Sequence, residues 1–213
     1  MRRADELSGR RLGDIARTLK VPIPRQATRA KGWTGTLLET ALGATAASLP
    51  EPDFQSIGVE LKTVPVRPDG RPRESTYICT LSPPGGDPPL WEYSNVRRKL
   101  ARVLFVPVMY DTGIGFADRV VATPLIWSPS SDEESALKAD WEELMDLACT
   151  GHLESITARH GTCLQIRPKA ANAKSRQRGV GEDGAPADTL PRGFYLRATF
   201  TAAIFRRHYA RSG

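Results

Sequence analysis

The sequence predicts an α/β protein with a mixed β-sheet, and three observations carry that prediction. Apolar residues recur at helical spacing, as in Leu7, Leu12, Ile15, Ala16 and Leu19. Val103 to Val108 is a nearly continuous apolar run, the pattern of a strand covered on both faces. Residues 59–66 read as a strand that runs into Pro68-Asp69-Gly70, where proline presets φ and Asp and Gly accept the tight geometry of a turn.

Taken in order, the N-terminal helix ends at Pro22 and Pro24, which cannot continue it. Lys31-Gly32-Trp33 leads into a second helix with an apolar stripe of Leu38, Ala41 and Leu42 and with Glu39 at its edge. After the strand at 59–66 the turn predicts a hairpin that returns through Glu74 to Leu81. Ser82 to Pro89, with four prolines and two glycines, is a loop, and Arg97-Arg98-Lys99 follows on a short helix. Val120 to Trp127 can pair with Val103 to Val108 across the loop at Asp111 to Gly115, whose Gly113-x-Gly115 precedes no phosphate-cradling helix. Ser131 and Glu134 have capping-box spacing at the head of a helix over 132–149, with Leu137, Trp141, Leu144 and Ala148 on its core face. Thr162 to Ile166 is a short strand leading to Arg167-Pro168-Lys169. Ser175 to Asp188 reads as a mobile loop, Arg192 to Leu196 as a last strand, and Ala202 to Tyr209 as a terminal helix.

Forty per cent hydrophobic content in 213 residues can fill the core of one domain or of two closely joined lobes. The formal charge is +6, and its distribution is uneven. Ile156 to Arg178 holds six basic residues and no acid, and Thr189 to Gly213 five arginines and no acid, so the C-terminal third suits a polyanionic partner. Asp132 to Asp146, with seven acids and one lysine, reads as a solvated helix face turned away from such a partner. No apolar run is long enough to span a membrane and the N-terminus lacks a signal-peptide core, which predicts a cytoplasmic protein. Cys79, Cys149 and Cys163 are too scattered for a disulfide framework or zinc knuckle, and are expected to be reduced and partly buried. His152, His160 and His208 lack metal-ligand spacing. His160 suits a phosphate contact or a structural hydrogen bond.

Chemistry concentrates at Asp53, Glu60 and Lys62. On a strand, Glu60 and Lys62 share one face while Val59 and Leu61 share the other. Mg²⁺ takes near-octahedral oxygen ligands, commonly one or two carboxylates with phosphate and water, and Asp53 and Glu60 can supply the carboxylates. Lys62 can orient an attacking water or balance negative charge in a phosphodiester-cleaving transition state. By itself an acid-x-Lys pair is usually a solvated charge pair on a strand face, and a boundary glutamate reaching solvent is commoner than a catalytic one at the position of Glu39.

Several separated segments together resemble the MutH family of methyl-directed mismatch-repair endonucleases, which have the restriction-endonuclease-like fold. They are Lys31-Gly32-Trp33-Thr34-Gly35 with Leu37-Leu38-Glu39, Asp53-Phe54 with Gly58-Val59-Glu60-Leu61-Lys62-Thr63, Val96-Arg97-Arg98-Lys99-Leu100, Asp140-Trp141-Glu142-Glu143-Leu144-Met145, Ile156 to Gly161, Leu164 to Lys174, and Leu190 to Leu196, in family order. The resemblance implies one endonuclease domain over residues 1–213, with a central mixed sheet flanked by helices. It further implies two lobes around a DNA-binding cleft, a catalytic one over roughly 1–95 and a DNA-recognition one over roughly 96–213. It implies that Asp53 and Glu60, with Leu61, ligate catalytic Mg²⁺, that Lys62 is the catalytic lysine, that Glu39 is a further acid from the helix, and that Lys99 approaches from the basic cluster. Arg167, Pro168 and Lys169 would form the recognition loop at GATC in double-stranded DNA. Tyr195 would sense the adenine that methylation modifies, and Lys31 would contribute to phosphate contact or site closure. The implied activity is nicking of the unmethylated strand at hemimethylated GATC by a monomer activated by MutL, with MutS acting upstream. The alternatives are a restriction-type GATC nuclease indifferent to repair partners and a non-catalytic DNA-binding module.

Overall fold

The computed structural model describes residues 1–24, 32–46, 51–81, 90–169, 176–181 and 183–210. Lys31, the loop at 82–89 and residues 170–175 lie outside the described residues. In chain order the elements are α1 (Arg2–Asp5), α2 (Leu12–Leu19), α3 (Trp33–Leu42), β1 (Glu60–Val66), β2 (Thr76–Thr80), α4 (Asn95–Leu100), β3 (Val103–Met109), β4 (Leu125–Trp127), α5 (Ser131–Cys149), β5 (Leu164–Pro168), β6 (Gln177–Val180), β7 (Pro186–Thr189), β8 (Arg192–Leu196) and α6 (Ala198–Ala210). Two compact units are formed. One takes Met1–Glu74, Ala101–Ser128 and Ala202–Gly213, and the other Ser75–Leu100 and Pro129–Thr201. The chain passes back and forth between them, so the division does not fall at one point near residue 95.

In the first unit β1 pairs parallel with β3, and β3 pairs antiparallel with β4, giving the mixed sheet. β3 alternates as a strand covered on both faces must. Leu104, Val106 and Val108 join Leu12, Ile15, Leu37, Leu38 and Leu61 in one apolar cluster. On the other face the Phe105 ring meets Trp127 at 6.0 Å and Phe205 of α6 at 5.5 Å. The second unit holds an antiparallel sheet in the order β2-β8-β5. Trp141 is buried in the core beside Trp91, their ring centroids 5.8 Å apart.

Several expectations are corrected. The predicted hairpin after β1 ends after a single bridge, Val66 to Pro72. Pro72 has no N–H to extend a ladder, and β2 pairs with β8 instead. The N-terminal helix is broken into α1 and α2 because Gly9 and Arg10 exchange backbone hydrogen bonds with Val121 and Arg11 bridges Val120, pulling the chain into extended pairing. The stretch 175–188 contains the hairpin of β6 and β7, closed by Gly181 N–H donating to the Ala185 carbonyl.

The capping box of α5 is formed one residue earlier than predicted, by Ser130 and Glu133. Both serines have an acid three residues on. Glu134, however, is engaged by the Trp91 indole at 2.9 Å and the Arg97 guanidinium at 2.7 Å, which leaves Glu133 for the box. The acidic run is also not wholly solvated: Asp140 is buried, and Lys138 pairs with Glu92. The three cysteines are free, Cys163 is buried, and burial pushes the Cys149 and Cys163 thiols up. None of the described helices is long and apolar enough to cross a membrane.

Candidate active site and nucleic-acid interface

The acidic site is assembled within the first unit by short-range chain reversals. Gly43, at φ +79°, ends α3 in the left-handed conformation that glycine adopts without a Cβ penalty, and the N–H groups of Gly43 and Ala44 close on the Glu39 carbonyl. Two residues later Thr45 N–H donates to the Asp53 carbonyl at 2.9 Å, which ties the end of this helix to the second acid. From Asp53 the chain makes a 3-10 turn at Gln55–Ile57, reverses at Gly58 and returns through paired hydrogen bonds between Phe54 and Val59. That reversal explains the spacing: seven residues bring Asp53 back alongside Glu60.

β1 is an edge strand, so alternate N–H groups need partners from outside the sheet. Glu60 N–H faces inward and donates to the Arg102 carbonyl at 2.9 Å. Leu61 N–H faces the other way and donates to Asp53 Oδ2 at 2.8 Å. Glu60 and Lys62 share one strand face as predicted, and Lys62 Nζ donates to Glu60 Oε1 at 2.6 Å. With side-chain exposures of 3% for Glu60 and 11% for Lys62, this is a desolvated pair and not a solvated surface one.

Glu39 completes the cluster. Burial, and then the nearby Asp53 carboxylate, push its carboxyl above the ordinary 4.5, with Glu60 adding to the rise and Lys62 opposing it. Three carboxyl groups against one ammonium make a site of excess negative charge, which suits a hard divalent cation. Among the described residues no three His, Cys, Asp or Glu side chains gather tightly enough to hold an ion alone. Carboxylate oxygens are the donors that Mg²⁺ takes, one or two from the protein with waters and substrate phosphate making up the rest. Asp53 and Glu60 supply carboxylate oxygens. Leu61, its side chain buried in the core, has its main-chain oxygen to offer.

Apart from Lys31, which lies outside the described residues, the remaining predicted residues belong to the second unit. Lys99 stands half-buried on α4, where the neighbouring Arg97 is paired with Glu134. Arg167 and Pro168 end β5, and Lys169 follows, its N–H held by the Pro191 carbonyl at 2.7 Å. All three are exposed. Tyr195 lies on the central strand β8, directly opposite Tyr77 of β2 and Gln165 of β5, so the three side chains share a sheet face. The Tyr77 and Tyr195 rings meet edge to face at 5.3 Å. Lys169 Nζ stands 3.3 Å from the Tyr77 centroid, and Arg167 Cζ 5.8 Å from that of Tyr195. Two cations over two tyrosines form a surface that can donate hydrogen bonds to base edges and phosphates while presenting aromatic faces.

Tyr77 escaped the sequence reading. Its significance comes from pairing with a strand far along the chain, and its own neighbours in sequence say nothing of that. Gly193 belongs with it, because a Cβ there would stand 2.9 Å from Tyr77 Cε2 and 3.0 Å from the Cys79 carbonyl oxygen. His160 makes the structural hydrogen bond foreseen for it, accepting from Thr157 N–H at 3.0 Å.

Behind this surface, buried Asp140 of α5 accepts hydrogen bonds from the N–H groups of Thr162, Cys163 and Leu164 at 2.5–2.9 Å. The Arg197 guanidinium donates to the carbonyls of Ala158, His160 and Leu164. Together they fix the entry to β5, and hence where Arg167 and Lys169 emerge.

Residues 42–140 match the family model described as DNA mismatch repair enzyme MutH, a span that includes Asp53, Glu60, Lys62 and Lys99. The chain is 51% identical over 207 residues to the DNA mismatch repair protein MutH of Serratia proteamaculans, covering 97% of this chain and 91% of that protein. It is 52% identical over 206 residues to the protein of the same name from Klebsiella pneumoniae, covering 97% and 89%. To that of Yersinia pestis it is 52% identical over 207 residues, covering 97% and 91%.

Proposed function

Because the chain belongs to the MutH family of DNA mismatch repair enzymes, we propose that it is a Mg²⁺-dependent endonuclease that nicks the unmethylated strand at hemimethylated GATC and is activated by MutL. One observation carries the chemistry: Glu39 and Asp53, both partly exposed, stand close to the largely buried Glu60–Lys62 pair, and burial and the neighbouring carboxylates raise the pKa of the Glu39 carboxyl. Asp53 and Glu60, with the Leu61 main-chain oxygen, would hold Mg²⁺, which polarises a scissile phosphate and lowers the pKa of bound water.

Lys62, held by Glu60, would supply a fixed positive charge to balance the negative charge that gathers on the pentacovalent phosphorus. Glu39, its affinity for a proton raised by burial and then by the Asp53 carboxylate, is suited to accept one from the attacking water. Lys169 can donate to guanine O6 and N7. Tyr195, with Tyr77 beside it, offers a rigid aromatic edge at the adenine N6 position, where a methyl group changes the shape met. Activation by MutL, with MutS upstream, is supported by family membership.

The test is a nicking assay with Mg²⁺ on unmethylated, hemimethylated and fully methylated GATC duplexes, with and without MutL. The expected result is nicking of the unmethylated strand of the hemimethylated duplex, stimulated by MutL. Double-strand cutting independent of MutL, or binding without cleavage, would overturn it.

A further inference from the structure

At the far end of β1 from Glu60, two arginines enclose one tyrosine. Arg73 Cζ lies 3.7 Å from the Tyr110 ring centroid and Arg119 Cζ 4.1 Å from it. Two guanidinium groups cannot share one ring face at such distances, so they stack on opposite faces. Backbone hydrogen bonds lock all three residues in place. Arg73 N–H donates to the Pro65 carbonyl at 2.8 Å and Tyr110 N–H to that of Val66 at 2.7 Å. Met109 N–H donates to the Val120 carbonyl, and Leu12 N–H to that of Arg119.

The charges are not compensated. Neither Arg73 nor Arg119 has an ion pair among the described residues, although Glu74 and Asp111 adjoin Arg73 and Tyr110 in sequence; Asp69 pairs with Arg71 and Asp118 with Arg11. Arg119 Nε is buried with no hydrogen-bond partner. The two like charges, at most about 8 Å apart, lie within a Debye length of each other and repel. A phosphate at the ring edge would relieve that repulsion and take hydrogen bonds from both guanidinium groups.

We infer that Arg73, Tyr110 and Arg119 form a second phosphate-binding site, which grips the DNA backbone away from the scissile bond. Six residue steps of extended strand separate Glu60 from Val66, which sets the site about 20 Å from the acidic cluster. The inference rests on DNA being the substrate. A contact here adds affinity without reading sequence.

The experiment measures binding of a duplex lacking GATC over a range of salt concentrations for the intact chain, for Arg73→Gln, Arg119→Gln and the double variant, and for Arg71→Gln. Arg73 is exposed, so its substitution leaves folding intact. Because both guanidinium groups serve one phosphate, the double variant should reduce the slope of log K against log salt by about 1, and not by 2. Arg71→Gln should leave the slope unchanged, which a diffuse basic patch would not. In parallel, preference for GATC over non-GATC duplex should persist in every variant, so its loss would count against the proposed function and leave this site standing. An unchanged slope in Arg73→Gln and the double variant overturns the site. So does thermal stabilisation by inorganic phosphate that the double variant abolishes without any change in DNA binding, since the source would then be free phosphate.

Discussion

The acidic cluster of the first unit and the tyrosine surface of the second solve opposite problems. In the cluster, Glu60 and Lys62 are largely buried and paired at 2.6 Å and Asp53 is tied to backbone at 2.8 Å, so their field is fixed before any ligand arrives. On the surface, the cations are exposed and rest on aromatic faces. Lys169 over Tyr77 is oriented without spending its N–H donors on a carboxylate, which leaves them available to a ligand. Chemistry demands groups already satisfied in position, whereas recognition demands groups positioned but unsatisfied. The two regions differ in stability terms as well: neutralising a member of the cluster disturbs its partners, while truncating a cation on the surface disturbs little.

The largest effect should come from Glu60→Gln, which keeps the shape of the side chain and removes its charge. Nicking should be abolished while duplex affinity stays within a few-fold, measured by cleavage and equilibrium binding on the same GATC duplex. Equal loss of both would show that the cluster binds DNA and does not act on it. Next in size is Asp140→Ala. It strips the acceptor from three consecutive N–H groups, those of Cys163 and Leu164 buried and that of Thr162 partly so, and should lower unfolding free energy by about 3 kcal/mol or more. Near-normal stability by denaturant titration would mean that the entry to β5 is held by Arg197 alone.

The same contrast explains what the sequence could reveal. Asp53, Glu60 and Lys62 sit within one turn and one strand, so strand alternation and local spacing put them near one another, while the pattern alone favours a solvated charge pair and the family resemblance carries the reading of a site. The edge position of β1, which explains why Asp53 Oδ2 receives Leu61 N–H, depends on β3 and was not legible. Tyr77 gains its place from β8, and the predicted β1–β2 hairpin failed for the same reason, since strand partners are chosen by tertiary packing. Asp140 lay within an acidic run whose composition suggests solvent. Its burial follows from the N–H groups of β5, which lie outside any local pattern.

A smaller effect is expected of Lys169→Ala. If Lys169 donates to guanine, preference for GATC over a mismatched site should fall by about 1–3 kcal/mol in competition binding, with little change in melting temperature. Tyr77→Leu should reduce that preference by less, because it removes the platform and leaves the cation. If Tyr77→Leu were as damaging as Lys169→Ala, the ring itself would be a base contact, and the distinction drawn between platform and reader would have to be abandoned.

The smallest effect concerns Glu39, and its sign is opposite to that of an ordinary paired carboxylate. Burial and the Asp53 charge raise its pKa above 4.5 in the folded chain, so at intermediate pH the folded state binds more protons than the unfolded one. Its contribution to stability is then fully present below pH 4.5 and is lost as pH rises through its folded value. Glu39→Gln removes that titration. The variant should melt slightly higher than the natural chain near neutral pH, the gap closing as pH falls towards 4.5. Mg²⁺ should shrink the gap at neutral pH, since a cation held by Asp53 and Glu60 cancels the repulsion that Glu39 experiences. A variant that melted lower than the natural chain near neutral pH would mean that Glu39 is held by the Lys62 charge more than it is repelled by the acids, and the cluster would then lack the excess negative charge that a metal requires.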